Sequence, residues 1–189
     1  MTVSHENTST TAGHGWAVAE GPVDLAALSD LGRMRAITSY DLLDPTLRDR
    51  LDAITARTAA RLGQPVSLVT VVLDTAQLVI GNSGLEGWIV ATGGTPVEWA
   101  FCARAVMANA PYVVADATVD PVQQHNPLVA IDNVRAYAGV PLRGDDGHVL
   151  GAHCVLNSEA QQFTPDQVAE LELAAAEITA ILREYKLGD

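Results

Sequence analysis

Apolar residues recur along this chain in two rhythms, and the places where the rhythm changes mark the elements. From Asp24 onward, Leu25, Leu28, Leu31 and Ile37 fall at helix-like intervals interrupted only by Gly32, ahead of a Tyr40-Asp41-Leu42-Leu43 connection. Asp44-Pro45-Thr46 then has the form of a helix start, because Asp44 is able to cap free amides and Pro45 stands where no intrahelical N–H bond is needed. Leu47, Leu51, Ile54, Thr58 and Leu62 follow on one face of a helix that ends at Gly63.

Beyond that glycine the period shortens. Residues 66–73 are β-rich, residues 77–80 form a second β-rich run, and Asp74-Thr75-Ala76 between them predicts a hairpin. Asn82-Ser83-Gly84 and Gly93-Gly94-Thr95-Pro96 bracket an irregular segment around Trp88. A short helix is predicted over 97–107, a strand over 112–115, and a long connection over 116–133 carrying Pro121 and Pro127. Two apolar runs, 134–142 and 148–156, flank Arg143-Gly144-Asp145-Asp146-Gly147 and predict a second hairpin that closes the sheet.

The last helix is announced by Thr164-Pro165-Asp166-Gln167, a Thr-x-x-Gln capping box with proline in the first turn. Val168, Leu171, Ala175, Ile178, Leu182 and Tyr185 recur at alternating spacings of three and four, a heptad-like seam. Leu173, Ala180, Ile181 and Leu187 widen it, so the pattern favours homodimerisation through this helix over a monomer with a broad core-facing helix.

Composition narrows the setting. The chain has 189 residues, 48% of them hydrophobic, enough for one substantial core. Residues 1–20 are rich in Ser, Thr, Gly, Asn and His, and read as a mobile arm before a single domain over 21–189; His5 and His14 lie in that arm and need no ligand. Eleven Lys plus Arg against 23 Asp plus Glu give a formal charge of −12, which repels phosphate backbones and anionic membranes, so no nucleic-acid or membrane partner is expected. The only cysteines are Cys102 and Cys154, and with no secretory signal or membrane-length apolar run the expected location is the cytoplasm.

Several local sequences carry a resemblance to one family. Arg35-Ala36-Ile37 with Tyr40-Asp41-Leu42-Leu43-Asp44, Phe101-Cys102-Ala103, Val114-Ala115-Asp116-Ala117 before Asp120-Pro121, Asn126-Pro127-Leu128-Val129, Tyr137-Ala138-Gly139-Val140-Pro141-Leu142, and Gly147 with Leu150-Gly151 together resemble a GAF domain over roughly residues 33–185. The resemblance implies an α/β fold of the α+β kind. Its central antiparallel sheet would have five or six strands, with a bundle of the first and last helices on one face and a loop-covered small-molecule pocket on the other. It also implies a sensory or regulatory module, commonly dimeric, reporting through a separate signalling protein or its own ligand.

Against that frame, the second hairpin places His153 and Cys154 on opposite faces of one strand, His153 with Val149, Gly151 and Val155, and Cys154 with Leu150, Ala152 and Leu156. Which face meets a pocket is not readable from sequence. A neutral imidazole at 153 serves equally as a satisfied core residue, a polar pocket contact or a haem ligand. Cys102, in an apolar helix with Arg104 its nearest basic neighbour, is a core residue or, with a lowered pKa, a thiol sensor; Cys154 reads as inert, and a disulfide between the two is not expected in a reducing compartment.

Asp116, His125 and Asn126, with Asp120, Gln123, Gln124 and Asp132, form a polar set on the long connection that suits either a ligand entrance or plain loop solvation. Tyr137, Trp88 and Trp99 complete the candidate pocket positions, the tryptophans as walls or as ordinary buried aromatics. His125 with scattered carboxylates lacks zinc spacing. The Asp-x-x-Pro segment of bilin-binding relatives, the cysteine grouping of those that reduce free methionine sulfoxide, and the cyclic-nucleotide signature are all missing, so no cofactor is named. The leading expectation is a non-catalytic sensor for a small organic ligand, signalling through its helical dimer face. Its rivals are a ligand-free interaction or scaffold domain, and a haem or thiol redox sensor or small redox enzyme.

Overall fold

A computed structural model describes Trp16 and residues 21–188; His5, His14 and the rest of the arm expected over 1–20 lie outside the described residues. Trp16 packs against the helix-side core. Asp24 accepts from the amides of Ala26 and Ala27 to start α1 (Leu25–Leu28), and Asp30 accepts from Arg33 N to start α2 (Leu31–Thr38). The single stripe expected here is therefore broken at Ser29-Asp30, since each aspartate begins a helix of its own. Gly32 lies inside α2, and Leu25 and Leu31 face solvent.

The helix expected after Asp44 forms as α3 (Pro45–Leu62), capped by Asp44 and stopped by Gly63 at φ +63. Next come β1 (Val66–Val72), β2 (Ala76–Ser83), α4 (Trp88–Thr92), β3 (Gly94–Pro96), a 3-10 turn at Val97–Trp99 and α5 (Cys102–Ala108). The chain continues through β4 (Tyr112–Val114), α6 (Pro127–Ile131), β5 (Ala136–Arg143), β6 (Val149–Asn157) and α7 (Pro165–Glu184). The short elements β3, α4 and α6 were not visible as periodicity, and the helix expected over 97–107 is divided at Ala100-Phe101.

The strands make a six-stranded sheet in the order β3-β2-β1-β6-β5-β4, with every neighbouring pair antiparallel. On one face, α3 and α7 lie side by side in opposite directions, laced at the rim by Arg50–Glu184, Arg57–Glu177 and Arg61–Glu170. The α7 capping box is present, with Thr164 Oγ1 accepting from Gln167 N and Thr164 N donating to Gln167 Oε1. Val168, Leu171, Ala175, Ile178 and Leu182 are all buried in the core beneath these helices, and Ile181 joins them. The heptad-like seam is thus used inside the subunit, and Leu173, at 69% exposure, is on the other side of the helix.

Arg33 fastens α2 to the sheet. Its guanidinium is buried and donates to the carbonyls of Val149 and Leu28 at 2.8 Å each, and to that of Val72. Burial lowers its pKa. A second departure from expectation lies in β6, where the register runs Leu142↔Gly151 and then Arg143↔Val149. The extra residue is Leu150, which joins the helix-side core while Val149 joins the opposite one. A bulge reverses side-chain parity, so the simple alternation holds only from Gly151 onward.

Candidate functional site

The other face of the sheet is covered by short elements and loops, and beneath them lies a cavity of about 170 Å³. Leu68, Val79, Tyr137, Cys154 and Leu156 rise from β1, β2, β5 and β6 as its floor. Ile89, Phe101, Cys102 and Leu128, from α4, α5, α6 and the segment before α5, close its sides. Pro65, Leu85, Asn133, Asn157 and Ser158 also line it. The surface is mostly apolar, so the few polar atoms that reach it set what it can select.

Among the described residues, three side-chain polar atoms are buried without a hydrogen-bond partner: Gln77 Oε1, Thr95 Oγ1 and Asp132 Oδ2. All three belong to cavity-lining residues on β2, β3 and the end of α6. Asp132 is positioned by its second oxygen, which accepts from Trp88 Nε1 at 2.9 Å and ties α6 to α4. A buried acceptor left unpaired costs about 1–3 kcal/mol, so three on residues of one cavity wall are a cost that a donor reaching them would relieve.

A sulfur cluster sits in the cavity wall. Cys102 Sγ and Cys154 Sγ are 3.6 Å apart, and Tyr137 Oη donates to Cys102 Sγ at 3.3 Å. Only one thiol of such a pair ionises readily. Its hydrogen bond with Cys154, with support from Thr70 and Tyr137, holds Cys102 below the usual thiol range despite its burial. Hydrogen bonding to Cys102 and burial push Cys154 well above that range, and burial raises Tyr137 well above the ordinary phenol value. Tyr137 keeps its ring here because Gly139 lies beside it: a Cβ at Gly139 would stand 2.0 Å from Tyr137 Oη.

Of the eight positions expected at a pocket, Cys102 and Tyr137 line it. His153 does not. It is fully buried on the helix side, where Nδ1 meets Leu68 O at 3.0 Å and Nε2 meets Thr58 Oγ1 at 3.1 Å. With a carbonyl at one nitrogen and a hydroxyl at the other, the neutral Nδ1–H tautomer satisfies both, and burial depresses the pKa to about 4. Neither nitrogen is left for iron or for a pocket ligand.

Asp116 is bound to Arg135 at 3.0 and 3.1 Å and accepts from Thr118, which together hold its carboxyl well below the usual range. Asn126 caps α6 through Leu128 N and donates to Trp99 O and Gln123 Oε1, and His125 is exposed on the loop. Trp88 and Trp99 meet edge to face, 6.1 Å between centroids, behind the lining residues. Gln77, Thr95 and Cys154 went unrecognised as lining residues. Gln77 alternating with Val79 on a strand was a usable signal; Thr95, inside a breaker, carried none. Among the described residues no group of three His, Cys, Asp or Glu side chains is placed to hold a metal ion, and no helix is long and apolar enough to cross a membrane.

A helix pair on one face of an antiparallel six-stranded sheet, with a loop-covered cavity on the other, is the architecture that the resemblance implied. The GAF domain family model matches residues 46–182, and the chain belongs to that family. It is 30% identical over 128 residues, 67% of its length, to a cyclic di-GMP phosphodiesterase of Pseudomonas aeruginosa, and spans 21% of that relative. Among solved structures it resembles the GAF domain of a phosphoenolpyruvate-protein phosphotransferase from Coxiella burnetii, with TM-score 0.62 and 19% identity over 84% of this chain and 95% of that one. It also resembles a free methionine-R-sulfoxide reductase from Thermoplasma acidophilum, with TM-score 0.61 and 14% identity over 75% of this chain and 96% of that one. At those identities the two structures bear on the fold alone.

Proposed function

We propose that the chain is a sensory module whose cavity takes a small, largely apolar organic molecule bearing N–H or O–H donors, and that occupancy is reported through the α3–α7 pair. The observation that carries this reading is that the wall of one mostly apolar cavity includes Gln77, Thr95 and Asp132, each with a buried polar atom that has no partner. A ligand-free scaffold domain would have filled that space or paired those atoms.

The size of the cavity argues for a ligand of about one ring. A cavity of about 150 Å³ is known to admit benzene, and the volume here is about 170 Å³. A tetrapyrrole or a cyclic dinucleotide is far larger. Because the chain spans about a fifth of its phosphodiesterase relative, that enzyme's reaction is not carried over to it.

Strand β6 is the route from the cavity to the helices. Cys154 faces the cavity, while His153 beside it contacts Thr58 of α3 and Val155 packs in the core under α7. A homodimer remains part of this reading, with its surface moved to the outer side of α7 at Ala169, Leu173, Ala176 and Ala180, since the seam itself is buried. A separate signalling protein would read the change in that helix pair from outside the dimer surface.

The test is a nuclear magnetic resonance titration with matched single-ring compounds: benzamide, phenol and benzylamine as donors, toluene as the donor-free control. Expected are shifts at Leu68, Val79 and Leu128 for a donor compound, weakened by Gln77→Leu, with altered amide protection along α7. If no compound moves the cavity methyls, or if toluene binds as well as every donor, the reading fails.

A further inference from the structure

We propose that Cys102 and Cys154 are a redox pair in the cavity wall, closing to a reversible disulfide when a small hydroperoxide enters the pocket. Both residues are free thiols and the chain's only cysteines, far apart in sequence, yet their sulfurs lie 3.6 Å from each other. A disulfide needs the sulfurs at about 2.05 Å, so closure asks for a shift of little more than an ångström and a half. Cys102 opens the short helix α5, which follows the irregular Ala100-Phe101 step, whereas Cys154 is held in the middle of β6 between β1 and β5. The mobile partner is therefore Cys102.

The two sulfurs also have different surroundings. Both residues line the cavity, so a reagent that enters it reaches the pair, and the difference between the two sulfurs is set by their surroundings. Tyr137 Oη, donating at 3.3 Å, stabilises a thiolate at Cys102. The expected equilibrium between the two thiols favours the anion at Cys102, for the reasons given above.

In the first step the Cys102 thiolate attacks one peroxide oxygen. The O–O bond breaks, and the departing alkoxide takes up the proton released from Cys102, leaving an alcohol, or water where the oxidant is hydrogen peroxide. Cys102 is now a sulfenic acid. In the second step Cys154 sulfur attacks Cys102 sulfur, the S–S bond forms, the S–O bond breaks, and hydroxide leaves with the Cys154 proton as water. Two thiols are oxidised by two electrons, one hydroperoxide is reduced, and a dithiol reductant restores the pair by exchange. The event is stoichiometric and alters the wall of the cavity, and it holds whatever else that cavity binds.

The experiment treats the fully reduced, full-length protein with hydrogen peroxide and reads intact mass without reductant, followed by peptide mapping. The expected product is a single chain without cross-links to another, lighter by two hydrogen atoms, with the Cys102 and Cys154 peptides joined and separable by dithiothreitol. In Cys154→Ser the reaction is expected to stop at a sulfenic acid on Cys102, trapped as a dimedone adduct. In Cys102→Ser, the Cys154 thiol is expected to react at least about tenfold more slowly. Should a variant fail to fold, a dimedone quench of the wild-type reaction locates the first oxidised sulfur without any substitution.

Thiols that stay reduced in the folded protein while the urea-unfolded chain oxidises would overturn the proposal. So would a purely intermolecular disulfide, or a first adduct on Cys154.

Discussion

The two faces of the sheet use the same strands for opposite ends. On the helix side, His153 is a polar group taken fully out of water with both nitrogens matched, by Leu68 O and Thr58 Oγ1, and the apolar seam of α7 is packed on α3 and the strands. On the cavity side, one residue further along β6, Cys154 meets a second thiol across 3.6 Å, and three polar atoms nearby have no partner. A satisfied buried group is inert, and an unsatisfied one is stored cost awaiting a partner. The difference separates the scaffold from the site more sharply than residue type does: the histidine is the more reactive-looking side chain and belongs to the scaffold.

The comparison predicts its largest effect on the helix side. Ile178→Ala, at a fully buried position of α7, removes atoms that nothing can replace and is expected to cost about 2–5 kcal/mol in denaturant unfolding. Leu85→Ala, at the half-buried rim of the cavity, is expected to cost under about half as much, because that side chain already borders open space. Equal losses at the two positions would mean that the cavity side is packed as tightly as the helix side.

The second effect is a pH dependence that belongs to His153. Its folded pKa of about 4 lies below the ordinary imidazole value of 6.5, so the unfolded chain binds the extra proton between those values and stability falls as pH falls through that window. The loss is expected to reach about 2 kcal/mol between about pH 7.5 and about pH 5, and about 3 kcal/mol by about pH 4. Asp116 and Glu184, whose folded pKa values are lowered, lose their contributions only at the acidic end, as the unfolded carboxylates begin to protonate. The window above about pH 5 therefore isolates the histidine. Chemical denaturation across this range, repeated with His153→Gln, checks it; a slope that survives the substitution would assign the titration elsewhere.

Much of the scaffold was legible because it rests on periodicity and local caps. Asp44 and Gly63 bound α3 as their residue types dictate, and Thr164 with Gln167 forms the capping box read from four letters. The seam of α7 was legible as apolar, but spacing alone does not say whether a second copy or the same chain covers it. Ser29-Asp30 split a helix because a cap and a stripe compete over so few residues.

The site was less legible. Parity along β6 correctly separated His153 from Cys154, yet the face each one meets depends on which side α3 and α7 settle, a tertiary fact. The bulge at Leu150 then reversed the parity of the residues before it. Gln77, Thr95 and Asp132 come from three separate elements, and only the fold brings them to one cavity. The proximity of Cys102 to Cys154 was likewise invisible across so many intervening residues.

The smallest expected effect is also the one with the unusual sign. Thr95 is buried, and its Oγ1 has no hydrogen-bond partner among the described residues. Thr95→Val keeps the shape of the side chain and removes the unpaired hydroxyl, so without ligand it is expected to leave stability unchanged or raise it by up to about 1 kcal/mol. The same substitution on the helix side, Thr58→Val, deletes the donor to His153 Nε2 and is expected to destabilise by about 1–2 kcal/mol. The ordering is read by denaturant midpoints of the two variants in one buffer. If Thr95→Val destabilises as much as Thr58→Val, the Thr95 hydroxyl is already satisfied in solution, and the cavity loses one of the three groups that define its ligand.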